Sequence, residues 1–150
     1  MFNVVLVEPE IPPNTGNVAR LCLATGSTLH LVKPLGFSLE NRQLKRAGLD
    51  YWDEVDMQIW SSFAELQASQ TPDARYFFLT TKTTYAYYEV NFQRGDFLVF
   101  GRETKGLPEL LLKANNERCI TIPMQGTRSL NLATAVAIVL FEAVRQQRVS

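Results

Sequence analysis

Few side chains in this 150-residue chain could do chemistry, and the usual catalytic constellations are absent. His30 is the only histidine and stands in an apolar run, so it reads as a structural side chain and no metal site is expected. Cys22 sits in an apolar helical pattern with no activating neighbour, and Cys119 is distant from it. Both read as reduced core thiols rather than a nucleophile, disulfide or metal pair. No G-x-G-x-x-G follows a strand, and Gly101-Arg-Glu-Thr-Lys-Gly106 lacks the Gly-Lys-Ser/Thr of a phosphate loop. What remains is a set of polar stretches, each following an apolar run: Thr80-Thr-Lys-Thr-Thr84, Gly101–Pro108 and Ile122–Asn131. In the last, Pro123, Gly126, Thr127 and Ser129 mark turn-forming backbone, and Asn131 can cap the helix behind it. N–H groups gathered at a positive helix end suit a bound ligand.

The elements that must position these loops alternate along the chain. Residues 2–7 are apolar and β-branched, a buried strand, broken by Glu8-Pro-Glu-Ile-Pro-Pro13. Asn14 or Thr15 is expected to cap a helix running to about Thr25, with Gly26 as its stop. Further strands are expected at 29–32, 57–60, 75–79, 97–100 and 119–122. Short helices are expected at 39–47, 62–69 (capped by Ser61 or Ser62) and from Pro108 to about Ala114. Leu132 to Phe141 is apolar on every side apart from Thr134, so that helix must be buried all round, in a core or against a second chain. Strands alternating with helices argue an α/β fold with a mainly parallel sheet flanked by helices, in one domain over residues 1–150. In such sheets ligands sit at the carboxyl ends of strands, where all the polar loops named above begin.

Composition removes whole classes. Hydrophobic content of 46% and charged content of 20% describe a globular chain with a real core. The formal net charge is zero, so any nucleic acid must be held by local basic patches rather than by a global field. The apolar run at 132–141 is well short of the ~20 residues of a membrane span. The N-terminal residues are too few and too uncharged for a signal peptide, and a cytoplasmic protein is expected.

Asn14-Thr-Gly-Asn-Val-Ala-Arg20, Phe100-Gly-Arg-Glu-Thr-Lys-Gly-Leu-Pro108 and Ile122-Pro-Met with Arg128-Ser-Leu-Asn131 resemble the motifs of the SPOUT RNA methyltransferases. With Glu8–Asn14, Pro34-Leu-Gly-Phe37, Leu44–Tyr51 and Leu79-Thr-Thr-Lys82, the resemblance is to the TrmL (YibK) family, tRNA wobble-nucleotide 2′-O-methyltransferases, and covers nearly the whole chain. It implies a C-terminal trefoil knot, which general topology rules would have rejected. It also implies S-adenosyl-L-methionine as donor, S-adenosyl-L-homocysteine as product, a homodimer through the Asn14–Thr25 helix and the C-terminal helix, and leucine tRNAs as substrates. By motif position, Asn14, Arg20, Glu103, Ser129 and Asn131 are the implied reaction-centre residues. Leu79, Thr80, Gly101, Glu103, Gly106, Ile122, Met124, Ser129 and Leu130 are the implied cofactor contacts. Arg20, Arg42, Lys45, Arg46 and Lys82 are the candidate RNA contacts.

Methyl transfer asks mainly for alignment of ribose oxygen, methyl and sulfur. Because a guanidinium is always protonated, Arg20 reads as orienting and electrostatic, with Glu103 or water taking the ribose proton. Outside the motif, each residue has a plainer reading. Arg20 would be a surface ion-pair residue, Glu103 a solvated loop charge, Ser129 and Asn131 turn and cap, and Leu79 a core strand end. Arg42, Lys45 and Arg46 are equally a solvated helix face or a phosphate-binding patch. Some positions depart from the family pattern. Arg102 stands where many members have proline, Lys105 where arginine is common, and Phe141 where tyrosine is frequent. Alternatives to a tRNA enzyme are the same chemistry on another RNA, such as ribosomal RNA, and a non-catalytic RNA-binding module that keeps the knot. With the chain ending soon after its last helix, one protomer would be a small platform for a tRNA, which suits a site spanning two.

Overall fold

In the computed structural model, residues 1–126 and 129–148 are described, without the side chains of Lys45 and residues 47–51. The elements in chain order are β1 (Asn3–Val7), α1 (Pro12–Thr25), β2 (Thr28–Val32), α2 (Arg42–Gly48), β3 (Met57–Trp60), α3 (Phe63–Ala68), β4 (Tyr76–Leu79), β5 (Phe97–Phe100), α4 (Glu109–Ala114), β6 (Cys119–Ile120) and α5 (Leu132–Arg148). The six strands form one sheet in the order β3-β2-β1-β5-β4-β6, and every pairing is parallel. The α/β parallel sheet expected from the alternation is the fold.

Strand alternation assigns the two faces. Val4, Leu6, Phe77, Leu98 and Phe100 point to a core shared with Val18 and Cys22 of α1 and Val136, Val139 and Ala143 of α5. Their neighbours Val5, Val7, Phe78, Phe97 and Val99 face Leu66 of α3 and Leu112 of α4. A strand buried on both faces needs continuous apolar sequence, which is what residues 4–7 and 97–100 supply.

Several boundaries differ from the sequence reading for local physical reasons. α1 starts at Pro12, ahead of the expected cap, because prolines at the first two helical positions have no N–H to lose. Its cap position is Ile11, which offers no side-chain acceptor, so Asn14 and Thr15 are not caps. Gly26 ends the helix as expected, at φ 62°. β6 stops at Ile120, after which Thr121 bridges Ala86 in the β4–β5 connection. Within one protomer α5 is buried in the core on one side only: Thr134 and Phe141 are exposed and Ala137 and Ile138 half-buried, a stripe at helical spacing.

The β4–β5 connection is tied to the chain on either side of the last loop. Thr121 N–H donates to Tyr85 O at 2.8 Å and Tyr87 N–H to Thr121 O at 2.9 Å. Further along, Gln146 and Gln147 of α5 donate to Val90 O and Phe92 O at 2.9 and 2.7 Å. Those ties fasten the β4–β5 connection to the end of β6 and to the last turns of α5.

Candidate functional site

The order of strands reverses between β1 and β5, and there the exit loops diverge, leaving a crevice. It opens into a cavity of about 530 Å³, walled by the loops that leave β4, β5 and β6 and by the front of α1 and α5. All of the expected cofactor positions line it: Leu79, Thr80, Gly101, Glu103, Gly106, Ile122, Met124, Ser129 and Leu130. Asn14 and Asn131 line it as well, and so does Lys82.

The β5 exit loop is a tight turn. Gly106 N–H donates to Arg102 O at 2.8 Å and Arg102 N–H to Gly106 O at 3.2 Å. Gly101 must be glycine, since a Cβ there would lie 2.1 Å from the Gly106 carbonyl carbon and 2.2 Å from Leu107 N. Gly106 holds φ 68°, a left-handed conformation that costs glycine little.

Glu103 supplies what the front of α1 lacks. Its carboxylate accepts from Glu10 N–H at 2.9 Å, Ile11 N–H at 2.8 Å and the Asn14 amide at 3.2 Å. The negative charge also lies at the positive end of the helix. Glu10 returns the contact, since its Oε1 accepts from Thr104 N–H at 3.1 Å and the Thr104 hydroxyl at 2.8 Å. The Thr104 hydrogen bonds hold the Glu10 carboxyl below the usual carboxylate range, with the charges of Arg102 and Lys105 adding to the effect. Two loops far apart in sequence are thus clamped side chain to backbone in both directions.

A directed line of amides continues from the clamp. Asn131 Oδ1 accepts from Ala133 N–H at 2.9 Å and Thr134 N–H at 3.3 Å, the helix cap expected of it. That use of its oxygen leaves its NH₂ to donate to Asn14 Oδ1 at 2.9 Å, and the Asn14 NH₂ then donates to Glu103. Every amide orientation follows from the N-terminus of α5. Both Glu103 oxygens are occupied by N–H donors, an arrangement suited to holding the site together rather than to accepting a proton.

Other expected residues lie elsewhere. Arg20 is exposed on α1 and does not line the cavity. Six residues past Asn14 on a helix is about 9 Å along the axis and about 240° around it, so the two side chains of one protomer diverge. Arg42 and Arg46 are exposed on α2, also away from the cavity, and the Lys45 side chain lies outside the described residues. The turn residues Thr127 and Arg128 lie outside them too. Lys82 pairs with Glu109 at 2.9 Å, both side chains being well exposed, so the pair contributes little and can exchange for another anion.

The cavity also gathers residues that sequence reasoning missed: Ile11, Thr81, Arg102, Thr104 and Lys105. Arg102 and Lys105 had shown only as departures from a pattern; Ile11 was masked by the prolines around it. Ile11, Met124 and Leu130 are large apolar side chains left about 40% exposed at the rim (43%, 40% and 38%), surface that an apolar ligand would cover.

His30 has the structural occupation expected of it. It is buried, receives the Trp60 Nε1–H on Nδ1 at 3.0 Å, and lies with Nε2 2.9 Å from Asn3 Oδ1, which fixes a neutral ring with the proton on Nε2. Burial pushes its pKa down to about 4 against a weaker opposing pull from Asp56. Cys22 and Cys119 are both buried and free, and burial raises both thiols, Cys22 to about 12. Among the described residues there is no cluster able to hold a metal ion, and no helix is long and apolar enough to cross a membrane.

Residues 1–141 match the SpoU rRNA methylase family. The chain is 52% identical to a tRNA (cytidine(34)-2′-O)-methyltransferase of Burkholderia cenocepacia, covering 97% of this chain and 96% of that one. It is 49% identical to the protein of that name from Yersinia pestis, over 97% and 94% of the two chains. A solved structure concerned with the 2-OH methylation of C/U34 on tRNA superposes with a TM-score of 0.94 at 47% identity, over 99% of this chain and 97% of that one.

Proposed function

The chain belongs to the SpoU rRNA methylase family, and from that premise we propose that it methylates the ribose 2′-hydroxyl of the wobble nucleotide of tRNA, with S-adenosyl-L-methionine as donor. The parallel sheet with a C-terminal trefoil knot is the fold of this family. One observation carries the reading. Every position at which the resemblance puts the cofactor lines a single cavity at the strand-order reversal, and relatives of about 50% identity over nearly the whole chain are tRNA (cytidine(34)-2′-O)-methyltransferases.

The cavity suits that donor. Its volume falls in the range of small-molecule sites, and Leu79, Phe100, Ile122, Met124 and Leu130 offer apolar wall beside the free backbone of the strand-end loops. When bound, S-adenosylmethionine supplies an electrophilic methyl group on a sulfonium. The protein aligns the partners and keeps water out, which is where most of the rate of such a transfer lies. Asn14 and Asn131, fixed by their hydrogen-bonded line, present polar atoms beside the cavity, with Ser129 exposed at its edge. Glu103 holds that line in place, and the ribose proton leaves to water. Arg20 stabilises the developing alkoxide or a backbone phosphate.

Because Arg20 turns away from its own cavity, it serves best from a second subunit. We assign the homodimer to α1 and α5, which pack against each other. The assignment is supported by the open stripe of Thr134, Ala137, Ile138 and Phe141, the last 46% exposed. Sedimentation at micromolar concentration should give a dimer, and a stable monomer would overturn this assignment. Lys82, with the exposed Arg42 and Arg46 and with Lys45, supplies phosphate contacts that position RNA without reading sequence. The finer assignment to leucine tRNAs, carrying cytidine or carboxymethylaminomethyluridine at the wobble position, rests on the resemblance. Such an enzyme works in the cytoplasm with its tRNA.

Methylation of total tRNA with labelled donor, followed by nucleotide mapping, tests the proposal. Label should appear as ribose methylation at position 34; label only in ribosomal RNA, offered in parallel, would redirect the substrate.

A further inference from the structure

The methionyl end of the proposed donor carries an α-carboxylate, and a cavity that takes it in must meet that charge. Among the described residues, the charged side chains of the cavity wall are Lys82, Arg102, Glu103 and Lys105. Glu103 has the wrong sign, and its two oxygens already accept from Glu10, Ile11 and Asn14. Lys82 holds Glu109 at the exposed rim, and Lys105 is itself exposed. Arg102 differs from both. It is half-buried, and its guanidinium makes no hydrogen bond or ion pair among the described residues. The acid whose charge it feels, Glu10, spends its hydrogen-bonding oxygen on Thr104.

Its backbone, by contrast, cannot wander. The paired hydrogen bonds with Gly106 fix it, and Gly101 beside it packs directly on the Gly106–Leu107 peptide. A cationic fork on a rigid turn, unengaged and lining a cavity that offers no other uncommitted half-buried cation among the described residues, is prepared to take an oxyanion with two parallel N–H donors. We propose that Arg102 seats the α-carboxylate of the bound cofactor's methionyl tail. This inference rests on the methyl-donor reading and adds a residue that sets how tightly the amino-acid end is held.

Calorimetry with two ligands tests it, S-adenosylhomocysteine and 5′-methylthioadenosine, the second of which keeps the nucleoside and lacks the amino-acid end. Arg102→Ala should weaken S-adenosylhomocysteine about tenfold, roughly 1.4 kcal/mol, while methylthioadenosine binds as to the parent protein. Arg102→Lys, which keeps the charge without the fork, should fall between. Equal weakening of both ligands would mean that the loop had collapsed, and would overturn the proposal. So would unchanged S-adenosylhomocysteine binding accompanied by a loss of tRNA affinity, because the guanidinium would then be gripping an RNA phosphate. A parent protein that bound neither ligand would instead overturn the donor reading itself.

Discussion

Replacing Glu103 with alanine tests the clamp on which the site depends. The change leaves the N–H groups of Glu10 and Ile11 and the amide of Asn14 without their acceptor, at present 2.9, 2.8 and 3.2 Å away. A hydrogen bond to a charged group contributes about 1.5–3 kcal/mol. The site is half-buried, so water recovers a large part of the sum, and a net loss of about 2–3 kcal/mol is expected. For a domain of this size each kcal/mol moves Tm by about 2–4 °C, so the melting point should fall by about 5–10 °C. Glu103→Gln keeps one oxygen but turns an NH₂ group toward a donor, and should lose about half as much. Thermal unfolding of the three proteins reads this directly, and calorimetry with S-adenosylhomocysteine should show affinity falling in the same order. Were Glu103 the proton acceptor instead, the glutamine variant would lose turnover while keeping Tm and affinity. A Glu103→Ala protein melting within about 1 °C of the parent would refute the clamp.

Other expectations concern the frame around the site. Gly101→Ala should abolish detectable S-adenosylhomocysteine binding in calorimetry while the protein stays folded by circular dichroism, because the new Cβ has backbone 2.1 Å away and the turn must move. His30 titrates well below its ordinary 6.5, at about 4, so its neutral ring contributes stability that is complete above pH 6.5 and is lost as the pH falls toward 4. That loss amounts to about 3 kcal/mol, and urea midpoints measured from pH 7 to pH 4.5 should fall less steeply for His30→Gln. Thr15→Val should raise the stability measured by urea unfolding by up to about 1 kcal/mol, because the Thr15 hydroxyl is buried with no hydrogen-bond partner among the described residues, in the α1 face that meets the core.

Local chemistry was legible in the sequence wherever the cause lay within a few residues. Asn131 caps α5, Gly26 ends α1, and Ser62 caps α3 by accepting from Glu65 N–H at 3.1 Å. The alternation of elements was enough to place the exit loops at one edge of a parallel sheet. What could not be read depended on distant partners. The start of α1 was misplaced because its acceptor, Glu103, is more than ninety residues away, with |i−j| of 93 to Glu10 and 92 to Ile11. Asn14, whose type suggested a cap, is instead a link between Asn131 and Glu103. Motif membership grouped Arg20 with Asn14, yet helix rotation separates them within one chain, and the proposed second subunit is what would reunite them. The burial expected of α5, in a core or against a second chain, is met by the core on one side, and within one protomer the stripe of Thr134, Ala137, Ile138 and Phe141 stays open. The strand-to-loop pattern showed where a ligand could sit, while the identity of that ligand came from motif resemblance and relatives rather than from periodicity.

The central claim is that the ribose oxygen of nucleotide 34 receives the methyl group. Two tRNA substrates that differ only in a 2′-deoxy sugar at position 34 test it most directly, each incubated with the enzyme and labelled S-adenosylmethionine and then digested for mass mapping. The account predicts one methyl group on the ribose of nucleotide 34 in the all-ribo tRNA and none in the deoxy substrate. Methylation that persisted in the deoxy substrate, or that fell at another nucleotide of the all-ribo tRNA, would contradict it.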